Sequence, residues 1–133
     1  GLNTTNKLTV LGGTYSENVA KKRGAAICAM VANATIEITD ATFDKNSATD
    51  SHGGAISGYN NAAIYSLTVT NSTFTNNSAY HGGAIFNMGV TSTISISGCT
   101  FRDNRKKGQG ADIAIKSGNA NATIQEGLDV GQL

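Results

Sequence analysis

The sequence predicts an all-β fold, a parallel β-helix in which the chain winds through stacked coils. Two phrases recur in a fixed order: an aromatic residue followed three residues later by Asn, and then Gly-Gly-Ala-Ile or a close variant. The aromatic residues lie 28, 31 and 27 residues apart, at Tyr15, Phe43, Phe74 and Phe101. No stretch of about 11 residues has apolar side chains at helical spacing. A repeat of this length without helices is typical of one β-helix coil.

Each coil begins with an apolar–polar–apolar triplet, the period-2 pattern of a strand with one buried face. The triplets are Leu8-Thr9-Val10, Ile36-Glu37-Ile38, Leu67-Thr68-Val69 and Ile94-Ser95-Ile96, with a partial fifth copy at Ala122-Thr123-Ile124 whose register the sequence leaves open by one residue. A residue that tolerates a left-handed backbone follows each complete triplet, at Gly12, Asp40, Asn71 and Gly98. The first residues of the triplets are expected to stack as an interior ladder.

The aromatic residues form a second predicted strand and a second ladder. Asn stands three residues after each of them, at Asn18, Asn46, Asn77 and Asn104. A corner leaves backbone groups without sheet partners, and a side-chain amide offers two donors and an acceptor. We therefore expect a ladder of Asn side chains that bond the corner backbone and one another.

The third predicted strand carries small residues: GAAI (24–27), GGAI (53–56), GGAI (82–85) and GADI (110–113). Its Ile residues form a third ladder, and the paired Gly residues permit a tight corner and a close approach of coils. A variable loop precedes this strand in each unit. Each coil of 27–31 residues is thus expected to have three short strands and three corners.

Residues 1–133 are predicted to form one β-helix domain of four to five coils. The expected coils cover residues 8–35, 36–66, 67–93 and 94–121, with a partial coil at 122–133. The chain is expected to be a mature or excised segment. No capping helix is evident, and Leu128, Val130 and Leu133 cover only part of one end, so we expect either that the chain is part of a longer solenoid or that its ends meet partner chains. We also expect end-to-end self-association.

Composition excludes several classes of partner. The net charge is +1 and charged residues make up 14% of the chain, so no overall field favours nucleic acid. The longest apolar run is too short to insert into a bilayer. Cys28 and Cys99 fall at non-equivalent positions of the first and fourth repeats, so we expect no disulfide between them.

The paired phrases resemble the polymorphic outer membrane protein repeat of chlamydial autotransporters and other adhesin-like surface proteins. The resemblance rests on HGGAI (52–56) with FDKN (43–46) and on HGGAI (81–85) with FTNN (74–77), and YSEN, FRDN, GAAI and GADI are degenerate copies. It extends from about Leu8 to Ala114. It implies a right-handed β-helix in a passenger domain, secreted or exposed at the cell surface and used in adhesion.

Function is expected where the repeats differ, in the variable loops. Six of the ten basic residues lie there, and the two clusters flank two His and one Tyr on one edge. The candidate ligand-binding residues are Lys21, Lys22, Arg23, His52, Tyr80, His81, Arg105, Lys106 and Lys107. This edge suits an anionic glycan, a lipid headgroup or a host-surface protein. The alternative is that loop charges only keep the stack soluble and its flank unpaired.

Other site chemistries find less support. His52 and His81 are expected to stack one step apart, but two His supply too few ligands for a metal. Residues 108–112 match one G-x-G-x-D calcium repeat without adjacent copies, so Asp112 is read as replacing an outward-facing Ala of the GGAI phrase.

The repeat pattern also argues against two further activities. Asp44 and Asp103 fall in different columns, which argues against a glycosidase or lyase pair. The column that contains Thr9, Thr68 and Ser95 is interrupted by Glu37, which argues against a Thr array that binds ice. We therefore expect no enzymatic activity and no cofactor. The second hypothesis is a fragment of a polysaccharide-lyase-like β-helix whose catalytic parts lie elsewhere.

Overall fold

The computed structural model describes residues 6–30, 33–58 and 63–133. These residues form β-strands and no helices, and every strand pairing is parallel. The strands form four sheets, and successive coils contribute neighbouring strands to each sheet. The molecule is a β-solenoid of about 4 turns, which confirms the predicted fold class.

The triplet sheet contains β1 (Asn6–Leu11), β5 (Ala34–Thr39), β9 (Ser66–Thr70), β13 (Thr93–Ser97) and β17 (Ala122–Ile124). Its register aligns Leu8 with Ile36, Leu67, Ile94 and Ala122, so the predicted ladder and the fifth copy are confirmed. The alternation follows from the pleat, which turns the apolar residues inward and Thr or Ser outward. The residue that ends each triplet turn has positive φ, at Gly12, Asp40, Asn71 and Gly98.

The aromatic sheet contains β2 (Thr14–Ser16), β6 (Thr42–Asp44), β10 (Thr73–Thr75) and β14 (Thr100–Arg102). Its register superposes the four aromatic rings as predicted. Successive ring centroids are 5.2, 4.9 and 4.7 Å apart, close to the spacing of neighbouring strands. Phe43 and Phe74 are completely buried, so this stack fills the middle of the core.

The variable sheet replaces the predicted first loop. It contains β3 (Val19–Ala20), β7 (Ser47–His52), β11 (Ser78–His81) and β15 (Arg105–Lys106). The described residues therefore pass through four strands in each of the four complete coils, where three were expected. The segments are short, and their inward residues in the middle coils are only Ala48 and Ala79. Because such small side chains give no apolar alternation, the sequence pattern concealed this strand.

The isoleucine sheet contains β4 (Ile27–Ala29), β8 (Ile56–Gly58), β12 (Ile85–Asn87), β16 (Ile113–Ile115) and β18 (Val130–Gln132). Each of its first four strands begins at the Ile of the repeat phrase, so the preceding small residues form the corner and not the expected strand. Gly53 and Gly82 have φ values of 65° and 63°. A Cβ on Gly54 would overlap the backbone carbonyl of Gly83 in the next coil, which confirms the predicted close approach.

The two ends of the described solenoid differ. At the C-terminal end Leu128 and Val130 pack against the core, as predicted. At the N-terminal end Leu8 is 43% exposed and Tyr15 is 36% exposed, although both side chains continue interior ladders. Within the described residues, no helix is long and apolar enough to cross a bilayer.

Candidate ligand-binding surface

The Asn side chains are engaged within the frame, as predicted. The Oδ1 atom of Asn77 accepts from the backbone N and the Nδ2 of Asn46, both at 3.0 Å. The Nδ2 of Asn77 donates to Asn104 Oδ1 at 3.1 Å and to the Phe43 carbonyl at 3.0 Å. Asn46 repeats the same pattern one coil earlier, with Asn18 and Tyr15. The Asn side chains thus satisfy the hydrogen-bonding groups of the corner backbone, and few of their own donors and acceptors are left to bind a ligand.

Asp112 closes this ladder at its C-terminal end. Its Oδ1 accepts from Asn104 Nδ2 at 3.1 Å, and its Oδ2 accepts from the backbone N of Asp129 at 2.9 Å. Asp112 replaces the Ala of the GGAI phrase, as predicted, but the equivalent Ala55 and Ala84 are buried, so the expected outward orientation of this position is wrong. The carboxylate accepts hydrogen bonds where another Asn would follow, and so it ends the row.

Three of the candidate binding residues and Gln109 form one column, with one residue from each of four successive coils. Gly24 donates to the carbonyl of His52, Gly53 to that of His81, and Gly82 to that of Gln109, so Arg23, His52, His81 and Gln109 occupy equivalent places. The rings of His52 and His81 stack with centroids 5.1 Å apart, as predicted from their positions. This column immediately precedes the Gly corner of each coil.

The two His are structural members of an aromatic cluster. His52 also stacks on Phe86 with centroids 4.3 Å apart, and Tyr80 packs edge-on against His81 at 4.7 Å. Burial lowers the pKa of His52 to about 4, and the charges of Arg23 and His81 act in the same direction. Burial also lowers the pKa of His81. Both rings are therefore neutral at physiological pH.

The described residues offer no metal centre. No group of three or more His, Cys, Asp and Glu residues in the described ranges is placed to hold a metal ion. The buried Nδ1 of His52 has no hydrogen-bond partner there. His81 Nδ1 is occupied, since it accepts from the backbone N of Gln109 at 2.9 Å.

The predicted cations lie on or beside the variable sheet but at its two opposite edges. Lys21 and Lys22 are exposed beyond β3, and Arg105 and Lys107 are exposed at β15. Three coil steps separate these edges, or about 14 Å. The other two cations have partners: Arg23 Nε donates to Ser51 Oγ at 3.3 Å, and Lys106 Nζ lies 3.4 Å from Asp129 Oδ2.

A groove of about 360 Å³ lies over the variable sheet. Hydroxyls, one small apolar side chain and cations line it: Ser47, Thr49, Ser78, Ala79, Arg105, Lys106 and Lys107. The sequence analysis found the cations but missed the hydroxyls. The available signal was the Ser-Ala pair that directly follows Asn46 and again Asn77, which places Ser at the same position of two coils.

The carboxylates Asp44 and Asp103 and the two thiols lie apart in the described part of the chain. Asp44 aligns with Arg102 through Thr75, so it occupies a different column from Asp103, as expected. Hydrogen bonds from Thr75 and Asn76 lower the pKa of Asp44, which keeps this carboxylate ionised. Cys28 and Cys99 are free thiols, as predicted, and burial raises the pKa of each.

The stacked sheets and side-chain ladders define the class of protein as a parallel β-solenoid built from repeats. Residues 40–67 and 71–88 match the family model of the Chlamydia polymorphic membrane protein (Chlamydia_PMP) repeat. These ranges contain both HGGAI phrases with their FDKN and FTNN partners, so the chain carries repeats of this type. No curated protein and no solved structure matches the chain.

Proposed function

We propose that this chain is a non-enzymatic segment of an adhesin-like protein that is secreted or displayed at a bacterial cell surface. The observation that carries the proposal is the match of two coils to the repeat of a membrane protein family. In this role the solenoid acts as a passenger that holds variable segments away from the cell. Its partner is a glycan or a protein of the host surface.

The repeated and the variable residues have different environments, and this difference supports the proposed role. The repeated aromatic, Asn and Ile residues of the middle coils are buried and bonded within the frame. The variable sheet and the turns that follow its strands instead hold six of the ten basic residues. A rigid frame that presents chemically distinct segments is the usual basis of recognition by solenoid proteins.

Adhesion of coated beads to cultured host cells tests the proposal. We expect beads that carry the chain to adhere more strongly than beads that carry a variant without four exposed cations on or beside the variable sheet. That variant is Lys21→Ser, Lys22→Ser, Arg105→Ser and Lys107→Ser. A control variant removes four basic residues from other parts of the molecule: Lys7→Ser, Lys45→Asn, Arg102→Ser and Lys116→Ser.

Adhesion that survives in the control but falls in the first variant supports a receptor-binding face on the variable sheet. Equal losses in both variants indicate attraction by total charge alone. Beads carrying the unaltered chain that adhere no better than uncoated beads contradict the adhesin role. The chain is then a spacer.

A further inference from the structure

The groove over the variable sheet has an ordered polar wall. Ser47, Ser78 and Arg105 occupy the same register position on β7, β11 and β15. Neighbouring members of this row are therefore about 4.8 Å apart. Ser78 Oγ donates to Ser47 Oγ at 3.1 Å, so the two hydroxyls form a pair on the strands next to Arg105. The row offers hydroxyl and cationic donors to one ligand.

The turn that carries Lys107 is held in place by the preceding coil. The backbone N of Lys107 and that of Gly108 both donate to the Tyr80 carbonyl, at 3.2 and 2.8 Å. The next residue, Gln109, donates to the His81 ring. A Cβ on Gly108 would overlap the His81 ring, so the turn packs tightly there. The backbone that carries Lys107 is thus ordered before a ligand arrives, so this part of the chain loses little conformational entropy on binding.

The charges at the groove favour an anion. Arg105 and Lys107 are exposed. Lys106 is engaged with Asp129, so it contributes less. Asp50 is the one acidic residue in the segments 19–23, 47–52, 78–81 and 105–109. Guanidinium and ammonium donors form their shortest and strongest hydrogen bonds with anionic oxygens such as those of sulfate and carboxylate.

The size of the groove favours a sugar over a small ion. Its volume of about 360 Å³ falls in the lower part of the range of small-molecule sites. The hydroxyls of Ser47 and Thr49 can donate to and accept from sugar hydroxyls. Ala79 also borders the groove, but its side chain faces the interior of the coil. The lining thus combines charge recognition with contacts to a sugar ring.

We propose that this groove binds a sulfated or carboxylated sugar unit of an acidic oligosaccharide. The anionic group contacts Arg105 and Lys107, and the ring hydroxyls contact Ser47, Ser78 and Thr49. The oligosaccharide continues along the variable sheet toward Lys21 and Lys22, about 14 Å away. This inference rests on the proposed function, since it names the class of glycan that the adhesin recognises.

Calorimetric titration with heparin-derived oligosaccharides tests the proposal. The experiment uses the full chain in about 0.15 M NaCl, where exposed charges beyond about 8 Å are screened. We expect Arg105→Ser with Lys107→Ser to weaken binding about tenfold or more, because it removes charge-assisted hydrogen bonds. We expect Ser47→Ala with Ser78→Ala, which leaves the charge unchanged, to weaken binding roughly fivefold.

A charge-matched control, Lys7→Ser with Lys116→Ser, removes two cations from other faces and should change the affinity less than about twofold, as expected for distant screened charges. Chemically desulfated oligosaccharides that retain their carboxylates show which anion is needed. Circular dichroism of each variant verifies that the fold is retained. These comparisons separate a specific groove from general attraction between opposite charges.

Several results would overturn the groove proposal. Equal weakening by the two charge-removing variants would indicate diffuse attraction between opposite charges. Unaltered binding in the Ser47→Ala with Ser78→Ala variant would show that the two hydroxyls do not contact the ligand. Binding to anionic phospholipid vesicles without binding to the oligosaccharides would assign the cations to a membrane surface. If beads adhere to cells while the oligosaccharides do not bind, the groove inference fails and the adhesin role stands.

Discussion

At the scale of single residues, Asn77 illustrates how the polar side chains of the repeat are hydrogen-bonded within the solenoid. Its side chain is fully buried and takes part in four hydrogen bonds that link three coils. Asn77→Ala leaves buried donors and acceptors without partners. We expect it to lower the free energy of unfolding by about 1–3 kcal/mol. Urea unfolding followed by circular dichroism measures the change.

The matched control for that substitution is Asn18→Ala. Asn18 is exposed, and its side-chain amide donates to Asn46 Oδ1 at the first step of the ladder. We expect the control to cost less than about 1 kcal/mol, since solvent replaces the lost bond. Equal losses for the two variants would show that burial of the ladder does not determine its contribution.

His52 gives the folded state a pH dependence of known sign. Its pKa is lowered to about 4 by burial and by Arg23 and His81, whereas an unfolded His titrates near 6.5. The unfolded state therefore binds more protons between these values, so the free energy of unfolding falls as pH decreases from about 6.5 toward 4. Above about 6.5 this contribution is fully present.

Urea midpoints at several pH values test this prediction. The unaltered chain should lose stability over that window, and His52→Gln should lose less, because an uncharged amide replaces the titrating ring. His81 also has a lowered pKa, so a residual slope is expected in the variant. Identical pH profiles for the two proteins would show that His52 does not titrate differently on folding.

At the scale of elements, the aromatic stack joins the four strands of its sheet through the core. The ring of Phe74 lies 4.9 Å from that of Phe43 and 4.7 Å from that of Phe101. Phe74→Ala removes both contacts and leaves a cavity, so we expect a cost of about 3–5 kcal/mol. Tyr15→Ala, at the partly exposed end of the stack, should cost much less. A loss below about 1 kcal/mol for Phe74→Ala would contradict its place in the core.

The elements differ in how far the sequence could predict them. The strands of the triplet sheet could be predicted because apolar residues such as Ile36 and Ile38 alternate with a polar residue in every coil. A second left-handed corner, at Glu17, Lys45, Asn76 and Asp103, was missed. Glu and Lys have no intrinsic preference for that conformation, and the neighbouring Asn ladder fixes it through tertiary contacts. The sequence placed the cations of the groove, whereas the position of Ser47 and Ser78 beside Arg105 required the register of the variable sheet.

At the scale of the whole molecule, the described solenoid is chemically asymmetric. Asp112 ends the Asn ladder at the C-terminal side, and Gln125 exchanges two hydrogen bonds with the backbone of Cys99 there. At the opposite side Leu8 and Tyr15 leave interior ladders partly exposed. Apolar side chains exposed at the end of an interior ladder favour association with a further chain, which removes them from water. The N-terminal end is therefore the surface at which self-association should begin.

Sedimentation velocity over a range of protein concentrations tests this expectation. We expect the weight-average sedimentation coefficient of the chain to rise with concentration, since contact at the N-terminal end buries Leu8 and Tyr15. Leu8→Lys should suppress the rise, because a second copy would then have to bury a charge. Val90→Lys serves as the control, since Val90 is exposed on a loop after β12, away from the N-terminal coil.

A single monomeric species at the highest soluble concentration would contradict end-to-end association. A rise that only the control variant suppresses would place the contact at the loop surface instead.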